Sequence, residues 1–154
     1  MRTVYGLKLA RRVLSLPVPR PSSTYARWGL AYERKLFSAL LASDLSAAHN
    51  PAFYFEDRRG RSYCVPDILV QDYRGLTIIV ECKLTFKQEA IEKLRKLYCP
   101  VVRRALGSDL VIPLVIVKNI VPDAPSPALT LESALSNNTY LIQWLGRERT
   151  FPIA

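Results

Sequence analysis

Between Thr24 and Ser43 apolar residues return every three or four positions, placing Trp28, Tyr32, Leu36 and Leu40 on one face. That period predicts a helix over about 24–43, opened by the Ser/Thr capping candidates at 22–24. The pattern then changes. "AFYFEDRRGRSYCVPDILVQD" reads as an aromatic strand, a charged turn ending in Gly60 and a second strand with Pro66 near its start, together a hairpin. "DYRG" at 72–75 makes another turn, and "LTIIVECK" a third strand antiparallel to the second, so the order is a meander. "TFKQEAIEKLRKLYCPVVRRALG" predicts a second helix with Thr85 as N-cap and Ile91, Leu94 and Tyr98 on one face. Pro100 kinks or divides it, and it stops near Gly107. "DLVIPLVIVKN" is a nearly all-apolar strand, the kind buried on both faces of a sheet. After "VPDAPSPA", a linker by composition, the tail predicts one or two short helices. Helix, three-strand meander, helix and strand define an α/β fold with a mixed central sheet flanked by helices.

Length supports one domain: 154 residues, 49% of them apolar, bury one sizeable core and not two. Within it, residues 1–23 read as a basic arm, 24–119 as the core and 120–154 as a C-terminal extension packed on that core. The first 24 residues contain no acid and are punctuated by prolines at 17, 19 and 21. They lack the apolar run of a secretory signal and are expected to cross a neighbouring surface. An organellar transit peptide is the alternative reading.

Charge narrows the partners. Lys and Arg number 22 against 13 acids, a net +9, which favours a polyanion such as DNA. Arg27 and the turn residues Arg58, Arg59 and Arg61 are candidate phosphate contacts, which position a duplex without reading its sequence. No apolar run reaches the roughly 20 residues that span a bilayer, so no membrane partner is expected. Cys64, Cys82 and Cys99 are odd in number and lack CxxC spacing, which suggests neither a disulfide framework nor a zinc knuckle. A reducing cytoplasm, of a bacterial, archaeal or phage-infected cell, is the expected setting.

The chemistry centres on "TIIVECKLTF" at 77–86. Ile78, Ile79 and Val80 read as sheet interior, yet a carboxylate, a thiol and an ammonium follow. Breaking a buried ion pair costs roughly 3–5 kcal/mol, so charges at the end of such a run call for a purpose. In a strand Glu81 and Lys83 share one side and Cys82 takes the other. Pro66 weakens ladder pairing on the neighbouring strand, letting Asp67 reach the same edge as Glu81. Two carboxylates and a lysine suit Mg2+, with Mn2+ able to substitute, and metal-assisted phosphodiester hydrolysis.

These residues carry a resemblance. Asp67 of "VPD", fourteen residues before Glu81 of "VECK", resembles part of the PD-(D/E)xK nuclease signature, with Pro66-Asp67 and Glu81-Cys82-Lys83 filling each position. Glu33-Arg34 in "AYERKL" makes the region from about Tyr25 to Lys118 similar to archaeal-type Holliday junction resolvases. The resemblance implies a restriction-endonuclease-like core. It implies a metal held by Glu33, Asp67, Glu81 and the Cys82 main-chain carbonyl, a catalytic Lys83, and Arg34 near the scissile phosphate. It places Lys87 and Gln88, at the start of the second helix, beside substrate. The "FYFEDRRGRSYC" hairpin departs from compact resolvases, and the arm and tail have no counterpart.

The expected function is thus a metal-dependent endodeoxyribonuclease that makes paired nicks in four-way junctions, acting as a C2 homodimer. Alternatives are a restriction-like, repair or phage replication nuclease on linear, flapped or single-stranded DNA, and a non-catalytic DNA-binding module. Arg103 and Arg104 suit a helix C-terminus whatever the function. Tyr54 and Phe55 read as core, and His49, without a partner at metal or triad spacing, as incidental.

Overall fold

The computed structural model describes residues 2–14, 16 and 20–154; the prolines at 17 and 19 lie outside the described residues. It is a mixed α/β protein with a five-stranded mixed sheet flanked by helices, joined by a three-stranded antiparallel sheet. The elements are β1 (Leu9–Val13), α1 (Thr24–Ala42), β2 (Ser46–His49), β3 (Ala52–Asp57), β4 (Gly60–Cys64), β5 (Ile68–Tyr73) and β6 (Leu76–Thr85). There follow α2 (Gln88–Lys93), a π-helical turn (Leu94–Tyr98), α3 (Cys99–Leu106), β7 (Val111–Asn119), α4 (Leu131–Ser136) and β8 (Leu141–Gln143).

The large sheet has the order β2-β5-β6-β7-β8, antiparallel from β2 to β6 and parallel from β6 to β8. Alternation along β6 divides two cores. Ile79 faces a cluster built with Leu94, Val101 and Val102 of the second helical stretch and Phe53 and Phe55 of the small sheet. Ile78 and Val80 face Tyr32, Leu36 and Leu40 of α1 and Leu131 of α4. Arg74 (φ 52°) and Gly75 (φ 78°) form the two-residue turn into β6, where the left-handed conformation matches strand twist.

Several expectations change. The predicted second strand is two: Val65–Asp67 break it, so β4 pairs in the small sheet and β5 in the large one. The physical reason is Pro66, which has no N–H for a ladder. Trp28 lies on the predicted core face but is 62% exposed, because the buried stripe of α1 begins only at Tyr32. Thr85 ends β6 instead of capping a helix, and Lys87 takes the cap position without a side-chain bond. The tail supplies one helix and the edge strand β8, whose Leu141 and Ile142 are fully buried.

Pro100 does not divide the second helical stretch. The preceding turn widens, the Cys99 N–H donating to the Leu94 carbonyl, and the stretch continues to Gly107 at φ 61°. Proline has no N–H for the Lys96 carbonyl four residues back. Val4 donates to that carbonyl at 3.1 Å instead. The arm therefore lies on its own domain. β1 pairs with β3, Arg104 donates to the Lys8 carbonyl, and Asp57 accepts from Arg2 (2.7 Å), Tyr5 N–H (3.2 Å) and Arg59 N–H (2.9 Å).

Candidate active site

The β5–β6 ladder ends at Ile68↔Val80, while β6 runs on beside β7 to Thr85. Residues 81–85 thus have one unpaired edge, and the cleft forms there. Asp67 Oδ2 accepts from the freed Cys82 N–H at 2.8 Å, tying the strand end to that edge. A strand residue presents its N–H and C=O toward the same neighbour, so the Cys82 carbonyl faces the same opening. The Cys82 side chain packs toward α1 with Leu84, which leaves Glu81 and Lys83 on the opposite face, as the two-residue period requires.

A cleft of about 470 Å³ brings together Glu33, Asp67, Glu81, Lys83, Lys87 and Lys93. Glu81 is only 2% exposed, its Oε1 has no hydrogen-bond partner, and its Oε2 lies 3.8 Å from Lys93 Nζ. A buried carboxylate so loosely paired is costly to the fold. Burial first, and then the Asp67 charge, push the Glu81 pKa up to about 8 against the opposing Lys93 and Lys83. Glu33 is likewise pushed up to about 8, by burial and then by the Asp67 and Glu81 charges, with Arg34 opposing. Asp67 is raised by burial, against the Cys82 N–H and the two lysines. Asp67 is thus close enough to both glutamates for its charge to raise their pKa values.

Two contributors carry no sequence signal. Lys93 sits over the Tyr98 ring at 5.0 Å with its ammonium toward Glu81, a contact set by how the second helical stretch packs on β6. His49 is not incidental: its Nε2 lies 3.1 Å from Glu33 Oε1, and its ring stacks on Phe37 with centroids 5.1 Å apart. Burial lowers the His49 pKa, the Asp67 charge opposing and Arg34 reinforcing. Neutral, it can donate to Glu33.

The predicted phosphate contacts divide. Lys87 lines the cleft and Gln88 opens α2, exposed beside it. Arg34 is exposed next to Glu33, close enough to act on the Glu33 and His49 charges. Arg27 is exposed on α1 and is not among the cleft residues. Arg58, Arg59 and Arg61 are not brought to the site. Asn50 N–H donates to the Asp67 carbonyl near the start of β3; the strand runs six residues away, ~20 Å at ~3.3 Å per residue. At that far end Arg59 covers the Tyr5 ring at 5.0 Å and Arg61 Nε lies 3.4 Å from Glu56. The Arg58 side chain covers Gly6, where a Cβ would sit 2.6 Å from its Nε. Arg103 donates to the Val111 carbonyl and Arg104 to that of Lys8, so both arginines serve the fold.

The three-carboxylate metal set is not preassembled: among the described residues no three His, Cys, Asp or Glu side chains form a metal-binding group. Glu33 Oε1 is engaged by His49 instead. The remaining donors fit Mg2+ bound by one or two carboxylates with waters and substrate oxygens, its common mode. The unpartnered Glu81 Oε1 and the mutual repulsion within the cluster are what a divalent cation would relieve. Among the described residues no helix is long and apolar enough to cross a membrane. No protein-family model, curated protein or solved structure matches the chain.

Proposed function

We propose that the protein is a metal-dependent endodeoxyribonuclease of the PD-(D/E)xK type on a restriction-endonuclease-like core. The observation that carries this reading is Asp67 meeting Glu81 and Lys83 at the unpaired edge of β6, in a cleft that also holds Lys87 and Lys93. Asp67, Glu81 and the Cys82 carbonyl would hold the cation, and Glu33, steadied by His49, would orient water at its margin. The chemistry such an ion supplies is Lewis-acid activation of water and neutralisation of phosphate charge. Lys83, on the Glu81 face, stabilises charge developing on the non-bridging phosphate oxygens. Lys87 and Lys93 draw the DNA backbone into the cleft, and Lys93 compensates the Glu81 carboxylate until substrate arrives.

Within this class a Holliday junction resolvase acting as a homodimer is the first subtype, supported by Glu33-Arg34 at the site margin. A nuclease on flapped or single-stranded DNA is the second reading, favoured by exposed aromatics beside the cleft. The test is cleavage of end-labelled four-way junctions beside linear duplex, splayed and single-stranded DNA, with Mg2+ or EDTA. Symmetric nicks confined to junctions support the resolvase, and cutting at unpaired strands supports the second reading. Absence of Mg2+-dependent cutting of every substrate overturns the nuclease.

A further inference from the structure

A second concavity, of about 550 Å³, lies between α1 and the ends of β6 and β7, and shares Tyr25, Leu84 and Thr85 with the carboxylate cleft. Trp28 and Tyr25, 62% and 55% exposed, rise from α1 three residues apart, on one face of the helix. Lys35, a further two turns along α1, and Lys118, at the end of β7, supply positive charge, and among the described residues no Asp or Glu lines the groove. An exposed indole contributes little to the fold, and the other tryptophan, Trp144, is 4% exposed. The groove thus combines aromatic faces with cations and excludes acids, directly beside the site proposed for phosphodiester cleavage.

We infer that this groove binds an unpaired stretch of DNA adjoining the scissile phosphate, with bases stacked on Trp28 and Tyr25 and phosphates held by Lys35 and Lys118. Base stacking on aromatic side chains combined with backbone-tracking lysines is the physical recipe for single-strand binding. A paired duplex keeps its base faces stacked and offers Trp28 nothing. An apolar protein partner would bury both ammonium groups without counter-charge. The words "scissile phosphate" rest on the proposed nuclease; the single-strand site does not.

Binding is measured by anisotropy of a labelled oligo-dT strand and of a blunt mixed-sequence duplex, using the full chain in EDTA. Trp28→Ala is expected to weaken oligo-dT binding by about tenfold or more while duplex affinity stays within about twofold. Trp28→Phe should restore most of the loss. Lys35→Ala combined with Lys118→Ala should flatten the salt dependence for oligo-dT. Unchanged circular dichroism and Tm establish that each variant is folded, as expected for exposed positions. Unaltered oligo-dT binding by Trp28→Ala, or equal loss on strand and duplex, overturns the groove. Trp28-dependent strand binding without Mg2+-dependent cleavage would retain the groove and discard the nuclease. Lys83-dependent cleavage without Trp28-dependent binding would do the reverse.

Discussion

The Asp67 carboxylate accepts a 2.8 Å hydrogen bond from the backbone of Cys82, at the one place where β6 has lost its antiparallel neighbour. Pro66 ends the pairing, and the edge so exposed is what Asp67 then occupies. The same bond holds Asp67 at the strand end beside Glu81, while Glu33, His49 and Lys93 are brought to the site by the packing of α1 and the second helical stretch.

Lys83→Ala is expected to lower Mg2+-dependent cleavage by about 10²–10⁴-fold, the range for losing a charge-stabilising or proton-handling group. Asp67→Asn should do the same. DNA affinity, measured in EDTA, should remain largely intact, because lysines and arginines elsewhere supply most of it. Unfolding of Lys83→Ala would instead assign Lys83 to the fold.

Glu81→Gln is expected to stabilise the metal-free protein. The Glu81 pKa is raised from 4.5 to about 8, so the folded state binds more protons than the unfolded one. Its favourable contribution is complete below about pH 4.5 and is lost as pH rises through 8. Thermal melts in EDTA should therefore fall for the wild type between pH 5 and 8 and fall less steeply for Glu81→Gln, in which Glu33 still titrates from a raised pKa, each kcal/mol moving Tm by about 2–4 °C. Added Mg2+ should raise the wild-type Tm and leave that of Glu81→Gln nearly unchanged.

His49→Ala is expected to weaken Mg2+ affinity or activity by about 10–100-fold, the usual effect of removing a group that orients a metal-site carboxylate. A Mg2+ titration of cleavage separates this from a loss of folding: saturating ion should recover much of the rate. His49→Gln, which keeps a donor toward Glu33, should be less impaired.

Asp57→Ala is expected to release the arm. Burial alone would raise the Asp57 pKa, but the Tyr5 and Arg59 amides and the Arg2 charge hold it below the ordinary value. Without that anchor the arm keeps the β1–β3 pairing, the Val4 and Arg104 hydrogen bonds and the buried Ala10, but loses the fixed position of residues 2–5, and trypsin should cut at Lys8, Arg11 or Arg12 faster than in the wild type. An unchanged digestion rate would show that β1 pairing and the Val4 and Arg104 bonds hold the arm without Asp57.

Thiol labelling should report on folding. Burial pushes Cys64 up to about 12 and Cys99 up to about 11, and it pushes Cys82 up as well, reinforced by the Asp67, Glu33 and Glu81 charges. In the folded protein at pH 8 all three are expected to resist labelling. All three should react in denaturant.

Asp67, Glu81 and Lys83 were legible because their arrangement follows from strand alternation and a proline, both local properties of the chain. The helix 24–43, the face of Ile91, Leu94 and Tyr98, and the buried strand at 111–119 were legible for the same reason: each repeats its period over enough residues to stand out. Pairing across sequence distance was not. The chain alone does not show that Leu9–Val13 and Leu141–Gln143 are strands, since segments of five and three residues acquire their conformation from the neighbours they bond to. Nor does it place His49 on Glu33 or Lys93 on Glu81, because those contacts depend on how α1 and α2 settle against the sheet. Trp28 shows the limit most sharply: its spacing matches Tyr32, Leu36 and Leu40, and only the end of the core beneath α1 leaves it exposed. Local periodicity thus determined the longer elements and the placement of Asp67, Glu81 and Lys83, and tertiary packing decided which side chains join them and which remain exposed.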